Sequence, residues 1–222
     1  MIELINDDCM NIMARYPDKF FDLAIVDPPY GIGADKANNS NKGNFGYNFY
    51  HETEWDKAIP DKSYFDELFR VSKNQIICGG NYFVEYLHSS MGWIIWDKKQ
   101  DNFSFSDGEL LWSSFNCKLR FFRWSRSATT LRDNGRIHPT QKPVALYRYL
   151  LDNYTKPGDL ILDTHAGSFS SAVACKEKGF SGVFIELDQD YFRDGKNRVD
   201  KTSRQYDLIE QGKIIPEQST FL

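Results

Sequence analysis

Short apolar runs alternate with helix-length amphipathic segments along this chain, and that alternation constrains its fold more than any other feature. Ile2–Ile5, Leu23–Val26, Gln75–Cys78, Trp93–Trp96, Leu160–Leu162 and Val183–Ile185 read as buried strands. Cys9–Tyr16, Lys62–Ser72, Val144–Tyr154 and Ser170–Lys178 read as helices, with Asp61 placed to cap one, Pro143 in the first turn of another and Gly179 as a stop. A short helix up to His88 and a final helix from Tyr191 into a polar tail complete the pattern. Strands apolar on both faces and separated by helices belong to a mostly parallel sheet covered on both sides. The expectation is therefore an α/β fold, with 1–222 as a single domain. Residues 31–55, rich in Gly, Asn and Tyr, read as a long mobile loop, and 99–137 as mixed β segments forming an insertion.

Composition removes several function classes. No apolar run reaches membrane-spanning length, and the start lacks a basic region followed by an apolar stretch, so no membrane partner and a cytoplasmic location are expected. Cys9, Cys78, Cys117 and Cys175 lie far apart, as do the histidines, so no metal site is expected. The net charge is −4, yet Lys118, Arg120, Arg123, Arg126, Arg132 and Arg136 cluster in one segment, interleaved with Phe121, Phe122 and Trp124. That cluster reads either as a surface for nucleic-acid phosphates or as an edge hairpin whose arginines block aggregation.

The run Leu23–Val26 ends on Asp27-Pro28-Pro29-Tyr30, with Gly31 and Gly33 just beyond. This places the tetrapeptide at a strand's carboxyl end, where open α/β sheets bind ligands. Proline restricts its predecessor to extended geometry and removes amide donors, so the Pro28 carbonyl is held stiffly. A carboxylate, a carbonyl and an aromatic face suit a planar ring with an exocyclic amino group. Taken alone, the tetrapeptide also reads as a proline turn with Asp27 as its cap.

A second unit runs from Asp159 to Asp188 as strand, turn, helix and strand. Its turn is Asp163-Thr164-His165-Ala166-Gly167-Ser168, and Glu186 closes the next strand. An acid some twenty residues past such a turn is where ribose hydroxyls bind. One glycine is too few for a dinucleotide's pyrophosphate, which argues against NAD and FAD, and no GxxxxGK(S/T) run argues for ATP. A nucleoside ligand without phosphates, such as S-adenosylmethionine, remains open, as does a purely structural crossover.

Asn6-Asp7-Asp8-Cys9, Asp27-Pro28-Pro29-Tyr30, Gly79-Gly80-Asn81-Tyr82-Phe83, Trp93-Ile94-Ile95-Trp96-Asp97-Lys98, His138-Pro139-Thr140-Gln141-Lys142-Pro143 and the Asp163 turn with Glu186 follow in that order. In these blocks the chain resembles the β-class DNA amino-methyltransferases, whose motifs are circularly permuted relative to other methyltransferases. The resemblance implies a Rossmann-like methyltransferase fold and S-adenosylmethionine as cofactor. It implies that Asp163, His165, Ala166, Gly167 and Ser168 line the methionine side, and that Thr140 and Lys142 hold the carboxylate. Glu186 takes the ribose, and Asp8 with Cys9 lies by the adenine ring. It makes Asp27, Pro28, Pro29 and Tyr30 the catalytic block and puts 99–137 where the family recognises its target.

The implied reaction is methyl transfer to N6 of an adenine flipped out of double-stranded DNA and stacked on Tyr30. The short recognition segment predicts a short target site, loose specificity or a homodimer sharing the work. Alternatives are N4-cytosine or RNA amino-methylation, or a catalytically silent nucleic-acid-binding member. The last is motivated by Phe169, which stands where the family turn has its second glycine and must point away from the cofactor or narrow its pocket. Ser170-Ser171 replaces a Thr-Thr pair, and His165 replaces a phenylalanine.

Overall fold

The computed structural model describes residues 1–33, 56–100, 106–125 and 137–210, with side chains to residue 202. Most of the expected loop 31–55 lies outside the described residues, as do Arg126, Arg132 and Arg136. In order, the elements are β1 (Ile2–Asn6), α1 (Cys9–Met13), β2 (Phe21–Val26), α2 (Lys62–Val71) and β3 (Ser72–Cys78). A 3-10 turn (Gly80–Tyr82), β4 (Ile94–Asp97), β5 (Gly108–Ser113) and β6 (Arg120–Arg123) follow. The chain then forms α3 (Val144–Tyr154), β7 (Leu160–Asp163), α4 (Ser170–Lys178), β8 (Ser181–Glu186) and α5 (Gln189–Glu210).

The strands form one sheet in the order β1-β8-β7-β2-β3-β5-β4-β6. Pairing is parallel throughout except where β5 meets β3 and β4, so β5 alone among the described strands runs against the rest. Side-chain alternation sorts the core into two layers. Leu23 and Ile25 of β2 pack with Leu146 and Leu150 of α3, and with Val173 of α4. Ala24 and Val26 face the other way, onto Ile12 and Met13 of α1 and Phe65 and Leu68 of α2. This two-sided burial explains the unbroken apolar run of β2. The expected mostly parallel α/β sheet with helices on both faces is thus the observed architecture. No helix among the described residues is long and apolar enough to cross a membrane.

Several boundaries differ from expectation. α1 stops at Met13 instead of Tyr16, because Pro17 disfavours helical geometry at the residue before it. The helix expected up to His88 is a single 3-10 turn followed by a turn closed by the Tyr86 amide on Phe83 O at 2.9 Å, although Phe83, Tyr86 and Leu87 all pack on the core. Asp61 occupies the N-cap of α2, but its side chain makes no capping bond. The described part of 99–137 supplies β5 and β6 to the common sheet.

Candidate active site

β2 and β7 are neighbours in the middle of the sheet, with Leu23 opposite Ile161 and Ala24 opposite Leu162. Their carboxyl ends therefore deliver Asp27 and Asp163 to the same edge, although 136 residues separate them in sequence (163 − 27). A cavity of about 770 Å³ opens there, within the range of small-molecule sites. Asp8, Cys9, Asp27, Pro29, Thr140, Lys142, His165, Ala166, Gly167, Ser168 and Glu186 all line it. Pro28, Tyr30 and Asp163 lie outside its lining.

The exit from β2 is pinned by a residue that sequence reasoning missed. Buried Asp56 accepts the amides of Tyr30 (2.7 Å) and Gly31 (2.8 Å) on one carboxylate oxygen. Gly31 and Gly33 each adopt φ +69, a conformation glycine takes without penalty. Tyr30 is fixed on several sides. Its hydroxyl donates to Asp27 Oδ1 at 2.6 Å, and its ring stacks on Tyr82 at 4.8 Å and 13°. Gly79 allows this approach: a Cβ there would stand 2.3 Å from Tyr30 Cε1.

Lys142 lies against the same carboxylate. Its Nζ donates to Asp27 Oδ2 at 2.8 Å and Oδ1 at 3.0 Å, and reaches the Tyr30 hydroxyl at 3.2 Å. Glu109 Oε2 stands 3.1 Å away on another side. Burial raises the Asp27 pKa from its ordinary value, against the pull of Lys142. Burial works against the Lys142 charge too, but Asp27 and Glu109 outweigh it and hold the ammonium firmly protonated. An ionised carboxylate offers about four lone-pair positions. Tyr30 and Lys142 use three of them, which leaves a position on Oδ2 for a donor entering from the cavity.

The β7 turn is braced from both ends. Gly167, at φ +50, donates its amide to Glu186 Oε2 at 2.7 Å, and the Asp188 amide donates to Oε1 at 2.9 Å. Each Glu186 oxygen keeps a lone pair for a ligand hydroxyl. Asp163 is fully buried beneath the turn, accepting from Ser171 Oγ at 2.5 Å and the His165 amide at 3.1 Å. Burial pushes its carboxyl up to about 7. Burial also depresses His165 to about 4, leaving a neutral imidazole beside Thr164 and Tyr64 at physiological pH. Burial, with Asp8 adding to it, pushes the Cys9 thiol up to about 12, so it is no nucleophile.

Phe169 resolves the choice its bulk posed. Its backbone is left-handed at φ +56 and its side chain is fully buried, but not in the cavity lining. The ring packs against Phe192 of α5 and over Gly195, where a Cβ would come within 2.1 Å of it. α5 thus makes room for the phenylalanine, while Arg198 of the same helix bonds Ser168 O and Ser170 Oγ. His138 and Tyr191, whose rings meet at 4.3 Å, close the cavity over Gly167 and were not singled out from the sequence. His138 opens the His-Pro-Thr-Gln-Lys-Pro block, but nothing in the local sequence of Tyr191 marks it.

Lys118, Arg120 and Arg123 are exposed on or beside β6 at the far sheet edge. Four strand spacings separate β6 from β2, roughly 19 Å. Arg123 is partly engaged, with Asp97 at 3.4 Å and the Phe121 ring at 5.0 Å.

The cavity's charge narrows what it can hold. Asp7, Asp8, Asp27, Asp61, Glu186 and Asp188 line it, against Lys142 as the only lysine or arginine of the lining among the described residues, itself bonded to Asp27. Such a lining repels phosphates and favours a cationic ligand with hydroxyl and amino donors. A sulfonium nucleoside fits that donor and charge pattern.

Comparison with known proteins agrees with this geometry. Residues 112–197 match the N6_N4_Mtase family model, described as DNA methylase. The type II methyltransferase M.HpaI of Haemophilus parainfluenzae is 24% identical over 251 residues, covering 94% of this chain and 77% of that protein. The DNA adenine methyltransferase YhdJ of Escherichia coli (strain K12) is 36% identical over 84 residues, covering 38% of this chain and 28% of that protein. The crystal structure of the M1.HpyAVI-SAM complex superposes with a TM-score of 0.59 at 19% identity, covering 89% of this chain and all of that one. Its likeness identifies the fold as that of a Rossmann-like methyltransferase. Model match, near full-length relative and shared fold are all similarities to N6/N4 DNA methylases.

Proposed function

We propose that this chain transfers a methyl group from S-adenosylmethionine to N6 of an adenine flipped out of double-stranded DNA. The observation that carries the reading is the convergence of Asp27 and the Gly167–Glu186 turn on one acid-lined cavity. When bound, the cofactor supplies an electrophilic methyl group on a sulfonium. Glu186 offers acceptors to ribose hydroxyls, Asp8 and Cys9 border the nucleoside end, and Thr140 and His165–Ser168 line the remainder.

An exocyclic amino nitrogen is a poor nucleophile because its lone pair is delocalised into the ring. Asp27 Oδ2 and the Pro28 carbonyl each accept one of its N–H groups, which turns the lone pair out of the ring plane. The same acceptors stabilise positive charge developing on nitrogen, and being fixed beforehand they need no reorganisation. Alignment in the cavity supplies much of the remaining rate. Tyr30 serves as stacking surface and as the hydroxyl that steadies Asp27. No covalent intermediate with the protein is required.

The preference for adenine rests on Asp27 at the first position of its block, as in the family's adenine enzymes. Lys118, Arg120 and Arg123, with Arg126, Arg132 and Arg136, contact DNA phosphates from the 99–137 segment, and a homodimer extends that surface. Labelled cofactor incubated with unmethylated duplex DNA, followed by nucleoside analysis, tests the reading. Label in N6-methyldeoxyadenosine is expected. Label in N4-methylcytosine, in RNA alone, or nowhere despite DNA binding would each refute it.

A further inference from the structure

Lys142 and Asp27 belong to a longer chain of charges. Asp27 follows β2, Lys142 precedes α3, Glu109 is the second residue of β5 and Lys98 follows β4. Lys142 Nζ bridges Asp27 at 2.8 Å and Glu109 Oε2 at 3.1 Å, and Lys98 Nζ meets Glu109 Oε1 at 2.8 Å. Lys98 also sits 5.2 Å above the Trp96 ring. The Lys142 and Lys98 side chains are 4% and 9% exposed, so these charges have little water to fall back on.

Topology explains why a glutamate from β5 reaches the site. The parallel strands point their carboxyl ends at the cavity, whereas antiparallel β5 points its beginning there. Glu109 pairs in register with Trp96. Gly108 lets the two strands close up, since a Cβ there would stand 2.8 Å from Trp96 O.

An ammonium has three donors. Lys142 spends two of them on Asp27 and turns the third to the Tyr30 hydroxyl, so where its charge is held decides which Asp27 acceptor position stays open. Glu109 Oε2, 3.1 Å from Nζ, pairs with Lys142 as a charge without taking one of those hydrogen bonds and neutralises it, while Lys98 neutralises Glu109. We propose that Glu109 is a positioning residue, which by pairing with Lys142 sets the orientation and free acceptor position of Asp27. This assignment rests on the amino-methyl transfer reading.

The charge arrangement supplies a signature that a merely structural role would not. Asp27 is faced by Lys142, by Glu109, by Tyr30, by Cys78 of β3, by Asp163 of β7, and by Tyr64 and Tyr147 on the two helical layers. Lys142 favours its ionised form and Glu109 disfavours it. Burial resists ionisation of Glu109, but Lys142 and Lys98 bring its carboxyl down to about 2, so it stays charged throughout the working range.

The test is Glu109→Gln in the full chain, read by the pH dependence of kcat and by the 13C NMR titration of the Asp27 carboxyl. Loss of the neighbouring negative charge should move the Asp27 midpoint and the acid limb of kcat to lower pH. Lys142→Met should move both to higher pH. Misplacement of the acceptor should lower kcat about 10- to 100-fold, with cofactor Kd unchanged within about twofold. The double variant Lys98→Met/Glu109→Gln keeps the chain neutral and should shift the midpoint in the same direction as Glu109→Gln, which guards against simple misfolding. An unmoved Asp27 midpoint with lowered thermal stability overturns the proposal, as does full kcat in Glu109→Gln. If the parent chain transfers no methyl group while the Asp27 midpoint still moves, the coupling stands and the transferase reading falls.

Discussion

Replacing Phe169 by glycine, the residue usual in the family turn, tests whether this phenylalanine obstructs the cofactor or belongs to the core. Its side chain is fully buried against Phe192 and Gly195 of α5. Truncating a buried phenylalanine to alanine costs about 3–5 kcal/mol. Going on to glycine at φ +56 returns about 1–2 kcal/mol of left-handed strain. The variant should therefore be destabilised by roughly 1–4 kcal/mol, while its cofactor Kd changes less than about threefold. Gly195→Ala supplies the partner perturbation. In the parent chain the new Cβ would stand 2.1 Å from Phe169 Cδ2, so about 1–3 kcal/mol of overpacking opposes a helix-propensity gain of about 1 kcal/mol. Without the ring only the gain remains, and the two substitutions should couple by about 1–3 kcal/mol. Urea unfolding of the four proteins measures the coupling, and calorimetry measures cofactor binding. Unchanged stability in Phe169→Gly together with at least tenfold tighter cofactor binding would refute the reasoning.

Two further outcomes follow from single positions. Gly79→Ala places a methyl group 2.3 Å from the Tyr30 ring at φ +66; kcat should fall about 10- to 100-fold and stability by about 1–2 kcal/mol, and full activity would contradict the account of Tyr30. Asp163 is held near 7 when folded against an ordinary 3.8, so the folded state binds the extra proton and its stability declines as pH rises from about 4 through about 7. Asp163→Asn lacks this dependence, and from pH 5 to pH 8 its urea-derived stability should gain on the parent chain by on the order of 2 kcal/mol; a constant difference would contradict the buried, protonated carboxyl.

The parts of this fold legible in sequence are those encoded by local pattern. Leu23–Val26 is apolar on both faces and ends on prolines, so β2 and the place of Asp27 could be read directly. Val144–Tyr154 and Ser170–Lys178 carry their own start and stop signals, and both helices match. Contacts between distant segments were not legible. Asp56 and Glu109 look like ordinary acids in polar surroundings; one becomes a buried acceptor for two loop amides, and the other enters the site only because β5 runs antiparallel. Lys142 was expected to hold a ligand carboxylate, and only the packing of α3 against β2 reveals its bond to Asp27. Phe169 could not be assigned an orientation because the glycine that accommodates it lies 26 residues later (195 − 169).

Asp27 is the centre of the account, and its replacement by alanine separates chemistry from binding. With labelled S-adenosylmethionine and unmethylated duplex DNA, Asp27→Ala should lose methyl transfer by at least about 10²-fold while cofactor Kd stays within about threefold of the parent value. Transfer that survives at the parent rate would contradict the assignment of Asp27 as the acceptor of the amino group.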